Sequence, residues 1–236
     1  MLKSFSRERP AQTISEVATC IGVTRATARR LLLTLSDLGY VGSDGRRFFL
    51  RPSVLTIGYT FLSLSNMWQG AQTHLDSLAA RAGESCGAAV LDGPEAVHVV
   101  RAIGDDILAV NLVLGVRLPA YCTAVGKVLL AELDEAELDD YLRRVDLVRR
   151  TAATVVEPAR LRASLEEVRD RGWALDDEEW RTGVRAIAVP IRDGETVGAV
   201  DIVCLSSQAP VQRLESDLLP LLLKAADHIG ARVPSG

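Results

Sequence analysis

Three glycines fence the first fifty residues so closely that only short elements fit between them. Gly22, Gly39 and Gly45 each close a run of different character, and glycine is the residue that accepts the left-handed backbone of a helix stop or tight turn. Before Gly22, Thr13 or Ser15 can cap a helix whose apolar positions are Ile14, Val17, Ala18 and Ile21. Val23 suits the corner. Thr24 then caps a second helix running from Arg25 to Leu38, in which Leu31, Leu32, Leu35 and Leu38 recur at helical spacing and predict one buried face. Beyond Gly39, Tyr40-Val41 and Arg47 to Leu50 read as short strands around Ser43-Asp44-Gly45-Arg46, and Asp-Gly is a strong hairpin signal. Two helices across a tight turn, followed by a hairpin, predict a winged helix-turn-helix.

The arginines of the second helix stand at its wrong end. Arg25, Arg29 and Arg30 lie near the start, where the backbone dipole favours anions over cations. Residues 1–60 carry nine Lys or Arg against four Asp or Glu, a balance of +5, whereas residues 61–236 carry eighteen against twenty-seven, a balance of -9. A basic head on an acidic body suits a polyanion partner for the head alone. In a winged helix-turn-helix the second helix enters the major groove by its first residues. Thr24, Arg25, Thr27 and Ala28 are therefore the expected groove-facing set, with Arg29 reaching a phosphate or a base edge and Arg46 and Arg47 on phosphates at the wing tip. Met1 to Ser6 resembles the second half of a further helix with Leu2 and Phe5 as core contacts, so the true start is expected upstream, or this first helix is short and frayed.

Pro52 ends the second strand, and the apolar series Val54, Leu55, Ile57, Phe61, Leu62, Leu64, Met67, Trp68, Leu75 and Leu78 predicts one or two linker helices over 53–82. A small head cannot bury so many apolar side chains, so some are expected to pair with a second subunit, which an inverted-repeat operator would match; a monomeric hinge is the alternative. From Glu84 onward strands alternate with helices. Strands are expected around the Asp92-Gly93 turn, over 107–113, and at Ala186–Ile191 and Val197–Leu205; helices at Thr123–Leu133, Glu135–Arg144, Pro158–Arg171 and 210–232. The class is α/β, more closely α+β, with an antiparallel or mixed sheet.

Nothing in this body reads as catalytic machinery. His74, His98 and His228 lack metal-ligand spacing and are expected to be structural or exposed. There is no Walker loop, dinucleotide fingerprint or nucleophile elbow, so neither cofactor nor metal is expected. Cys20, Cys86, Cys122 and Cys204 are scattered as in a reduced, cytoplasmic protein. No apolar run approaches the roughly 18 residues of a membrane span. Gly115 to Pro119 and Thr123 to Lys127 instead describe a loop entering a helix N-terminus, which favours an anionic group. Downstream, Arg185 follows Asp176, Asp177, Glu178 and Glu179 and could pair either with those acids or with a ligand carboxylate. Three functions remain open on residues alone: an effector-responsive regulator, an enzyme acting on a small carboxylic acid through the C-terminal part, and an architectural DNA-binding protein.

The chain resembles the IclR-type family of bacterial transcriptional regulators. The match is carried by ISEVA from Ile14, GVTRAT from Gly22 and LGYV from Leu38. In the body it is carried by GVRLP from Gly115, TAVGKVLLA from Thr123, RGWALD from Arg171 and GVRAIAVP from Gly183. The resemblance implies a winged domain over 1–52, a linker and dimerisation helix over 53–82, and a GAF-like effector-binding domain over 83–236. It implies a homodimer or homotetramer acting on double-stranded DNA, without a cofactor and without a membrane. It also implies a small-molecule pocket lined by Thr123, Ala124, Val125 and Gly126, by Asp176 and Glu179, by Arg185 and Ala186, and by Asp201 and Val203. Ser85 to Gly93 and Arg117 to Thr123 are similar to the branch governing protocatechuate, 4-hydroxybenzoate and β-ketoadipate breakdown, so a small aromatic or dicarboxylic acid is the implied effector. That branch has Ser-Met-Gly-Arg where this chain has Ala124 to Lys127, and a small polar residue where this chain has Val203.

Overall fold

The computed structural model describes residues 1–64, 66–104, 114–194 and 196–230, with the side chains of Asn66, Gln69 and Thr196 set aside. The chain divides between Leu64 and Ser65 into two compact units. Among the described residues no helix is long and apolar enough to cross a membrane.

The first unit is the helix-turn-helix with its hairpin. Helix α1 (Ile14–Ile21) starts in a capping box, with Thr13 accepting from the Glu16 amide and the Glu16 carboxylate accepting from the Thr13 amide at 2.7 Å. It stops at Gly22, whose φ of 68° is left-handed. Helix α2 (Arg25–Asp37) is capped by Thr24, which accepts from the Thr27 amide at 3.2 Å. The wing strands β2 (Val41–Ser43) and β3 (Phe48–Leu50) turn through Asp44, whose carboxylate accepts from the amides of Arg46 and Arg47. A strand that the sequence did not announce, β1 (Ala11–Gln12), completes a three-stranded sheet in the order β1-β3-β2. At the start of the chain Leu2–Ser4 form one 3-10 turn, with Leu2 and Phe5 against the core of Val17, Ala18, Ala28, Leu32, Val41 and Phe48. The buried face of α2 is narrower than its leucines suggested. Leu32 is inside, but Leu31, Leu33 and Leu38 are exposed, because Ala28, Leu32 and Leu35 already form a complete i, i+4, i+7 stripe. Helix α3 (Val54–Ser63) buries none of its residues.

The second unit is built on a six-stranded sheet in which every neighbouring pair is antiparallel, in the order β6-β5-β4-β9-β8-β7. Its strands are β4 (Ser85–Asp92), β5 (Glu95–Ala102), β6 (Arg117–Pro119), β7 (Ala174–Asp177), β8 (Val184–Asp193) and β9 (Thr196–Leu205). Strands β6 and β7 had no sequence signal, being three and four residues long. The strand expected over 107–113 lies outside the described residues. One face of the sheet carries α5 (Ala124–Ala131) and α7 (Pro158–Arg171), and α6 (Glu135–Arg144) joins the same core through Leu138 and Tyr141.

The other face carries α4 (Asn66–Ala82) and the closing helix, which begins as α8 (Val211–Arg213), passes through a π-helical stretch at Leu214–Leu218 and continues as α9 (Leu219–Gly230). Trp68 of α4 presses on Gly198 of β9, where an added Cβ would come within 2.6 Å of the indole. The even residues of β9 therefore face α4, and by strand alternation its odd residues, including Asp201 and Val203, face α5. The stretch expected as a linker is two helices, and the second belongs to this unit: Met67, Trp68, Ala71, Leu75, Leu78 and Ala79 of α4 are buried.

Candidate functional site

In the first unit, the open end of α2 gathers cations. Thr24, Arg25, Arg29 and Arg30 are exposed, as are Arg46 and Arg47 at the wing. None of these five arginines is in an ion pair among the described residues. Thr27 is half-buried and its hydroxyl lies 3.0 Å from that of Thr24, so both oxygens belong to the cap. Ala28 is a correction: it is fully buried in the core stripe and cannot face a groove, and the exposed alanine of this turn is Ala26.

In the second unit, a small cavity sits where α5 meets the sheet. Its lining is Leu118, Thr123, Ala124, Val125, Asp176, Trp180, Val184, Ala186, Asp201 and Val203, around a space of about 10 Å³, room for about one water. Thr123 caps α5, accepting from the Gly126 amide at 3.3 Å while donating to the Pro119 carbonyl at 2.9 Å. The first-turn amides of Ala124 and Val125 have no carbonyl within the helix to bond, so the cavity is bounded by donors on that side. The sheet supplies the facing wall through register. Asp176, Ala186, Val203 and Ser85 lie in one row across β7, β8, β9 and β4, and Ala188, Asp201 and Gly87 lie in the next. Asp176 is buried and accepts from the amides of Glu179 at 2.8 Å and Trp180 at 3.3 Å. Burial pushes its carboxyl up to about 7, helped by the Glu179 carboxylate and opposed by these amides and by Lys127.

The region Met1 to Gly45 matches the IclR helix-turn-helix domain, and residues 59–231 match the bacterial transcriptional regulator IclR C-terminal domain. The chain belongs to the IclR family. It is 37% identical over 229 residues to the Pca regulon regulatory protein of Pseudomonas putida, covering 96% of this chain and 79% of that one. Among solved structures, the transcriptional regulator RHA06195 of Rhodococcus sp. RHA1 superposes with a TM-score of 0.85 at 40% identity, covering 97% of this chain and 93% of that one. The inducer-binding domain of the Acinetobacter transcription factor PobR, solved as a double mutant with 3-hydroxybenzoic acid, superposes with a TM-score of 0.65 at 32% identity, over 70% of this chain and 98% of that one. This IclR-family chain is thus a transcriptional regulator. Among the described residues no group of three or more His, Cys, Asp or Glu is placed to hold a metal.

Seven of the ten residues expected around the effector line the cavity of this IclR-family chain: Thr123, Ala124, Val125, Asp176, Ala186, Asp201 and Val203. The other three are close but do different work. Gly126 lets the loop before α5 approach the helix, since a Cβ there would meet the Ala120 carbonyl oxygen at 2.2 Å. Glu179 pairs with Lys127 in a buried ion pair. Arg185 sits between Val184 and Ala186, both of which line the cavity, so strand alternation turns it to the opposite face. There it binds Asp177 at 2.5 Å and the carbonyls of Ser206 and Ala209. Of the two partners open to Arg185 in the sequence, the local acid holds it.

Sequence reasoning missed Leu118 and Trp180 in the lining and the role of His98, which is buried beside Asp201. Their signal is the pairing of distant strands, which one-dimensional spacing does not carry.

Proposed function

We propose that this regulator reads an inverted-repeat operator through the first turn of α2 and the wing, and that a small aromatic acid bound in the cavity beneath α5 modulates that binding. The observation that carries the reading is the cavity itself: a helix N-terminus with free amides, set inside an IclR effector domain among residues that the family resemblance assigned to ligand binding. In this reading the acid's carboxylate meets the Ala124 and Val125 amides, and Asp176 in its protonated form donates to it. Making room for an arene requires the half-buried Trp180 indole to move outward. Support for the ligand class comes from the relatives, one named for the Pca regulon and one solved with 3-hydroxybenzoic acid.

On the DNA side Arg25, Arg29, Arg46 and Arg47 are the contacts, with Arg29 on a base edge or phosphate and Thr24 at the phosphate nearest the helix cap. The active unit is a homodimer, or a homotetramer built from two such dimers. Leu55 and Tyr59 of α3 are 71% and 73% exposed, and Ile57, Phe61 and Leu64 are exposed beside them; a second copy is the natural cover for such a helix. The grouping is 1–52 for DNA, 53–82 for dimerisation and coupling, and 83–236 for a GAF-like effector domain, acting in the cytoplasm. A coupling of about 1–3 kcal/mol, roughly five- to 150-fold in operator affinity, is the expected size of the switch. The test is fluorescence anisotropy on the chain's own promoter DNA at fixed salt, with and without hydroxybenzoates, benzoate and dicarboxylic acids. A several-fold change with one acid is the expected result; tight DNA binding that no acid alters would end the effector reading.

A further inference from the structure

We propose that Asp201, held by His98, is the acceptor for a hydroxyl group of the effector, which makes the ligand a hydroxylated monocarboxylic acid and disfavours a dicarboxylate. This rests on the reading of the cavity as the effector site. Asp201 is 2% exposed, lines the cavity, and stands between two small neighbours in register, Ala188 on β8 and Gly87 on β4. His98 reaches it from β5, one strand further out, with Nε2 3.3 Å from the Asp201 Oδ2.

Two features of the sheet make that reach possible. The pairing of β4 with β5 shifts between Ala88 and Ala89, leaving Val99 as an extra residue; the bulge keeps His98 on the cavity face. The ring then passes over Gly87, where a Cβ would come within 2.7 Å of His98 Cδ2 and 2.9 Å of Asp201 Oδ1. The pair leaves two buried atoms without a partner among the described residues, Asp201 Oδ1 and His98 Nδ1. Folded proteins seldom leave such atoms unpaired, so each calls for a partner from outside the chain.

The two walls differ in what they ask of a ligand. The α5 wall offers amide donors and suits a carboxylate. The Asp201 wall offers a carboxylate oxygen and requires a donor. A second ligand carboxylate there would set oxygen against oxygen, whereas a hydroxyl supplies the missing proton. Arg101, opposite Gly87 on the same face, interacts electrostatically with Asp201 itself.

The experiment is calorimetric titration of the full-length protein with benzoate, 3-hydroxybenzoate, 4-hydroxybenzoate and terephthalate. At least one hydroxybenzoate is expected to bind about tenfold tighter than benzoate, the worth of one buried hydrogen bond, and terephthalate is expected to bind weakest. Asp201→Ala should erase the hydroxyl preference and leave benzoate affinity in place. His98→Ala should erase most of it, and His98→Gln, which keeps an amide donor near the Nε2 position, should restore it. Equal affinity for benzoate and both hydroxybenzoates, or tightest binding of terephthalate, overturns the proposal on the unmodified protein while leaving the effector site standing. A preference that survives in a folded Asp201→Ala protein overturns it too. If none of the four acids binds, the aromatic-acid reading fails and this proposal falls with it.

Discussion

Helices α2 and α5 begin alike and end up with different partners. Each is capped by a threonine, Thr24 or Thr123, that accepts from the amide three residues on, at 3.2 Å and 3.3 Å. Each therefore presents the same free first-turn amides and the same end of the helix dipole. The α2 start is open to solvent and flanked by exposed Arg25, Arg29 and Arg30. The α5 start is buried: every residue from Ala124 to Ala131 is inside, and acids face it from the sheet. An anion-seeking helix end on a basic surface suits a polyanion that stays outside. The same end under a cover suits a ligand small enough to be enclosed. Burial, and not the cap, makes the difference.

The comparison breaks first at Gly126. Gly126→Ala drives a Cβ into the Ala120 backbone, so about 3 kcal/mol of stability is expected to go, measured by denaturant unfolding, with effector binding lost and α2 untouched. A variant as stable as the parent would show that the approach of α5 to its loop is not tight. Next, Arg29→Ala should weaken operator binding by about 2 kcal/mol, read by anisotropy, and leave effector affinity unchanged.

The third effect is a pH dependence confined to the cavity beneath α5. Asp176 has its carboxyl raised from 3.8 to about 7, so the folded state keeps a proton that the unfolded chain has already released. Stability is therefore expected to fall as pH rises from about 4 to about 7, and effector affinity to fall by up to about tenfold per pH unit above 7. Asp176→Asn should flatten both profiles, and a wild-type affinity constant between pH 6 and 8 would remove Asp176 from the carboxylate's surroundings. The smallest effect expected is Arg185→Ala, with effector affinity within about twofold of the parent and a loss of about 1 kcal/mol from the pair with Asp177. A large loss of effector affinity would put the guanidinium back in the site.

Much of the first unit could be read from the chain because its signals are local. Thr13, Gly22, Thr24, Gly39 and Asp44-Gly45 act within four residues of themselves, and the helices and hairpin stand where they point. The misreadings there have one cause: a leucine-rich helix has more apolar residues than a small core can hold, so Leu31 and Leu38 are left outside while Ala28 goes in. In the effector unit the helix starts and the Asp92-Gly93 turn were legible for the same reason. Strands β6 and β7 were not, because so few residues leave no period to read. The two partners open to Arg185 could not be told apart from the chain, since nothing in it marks which side of β8 is inward.

What the sequence alone determined was therefore the punctuation: caps, stops, turns, the basic head and acidic body, and the family motifs that name the cavity's lining. The tertiary structure decided which faces are buried and which distant residues meet. His98 and Asp201 are 103 residues apart in sequence, and they meet only because a bulge in β5 turns one toward the other across a glycine. Hydrogen bonding along one helix or turn is written in neighbouring residues, but the pairing of strands is settled by the whole sheet closing on its core.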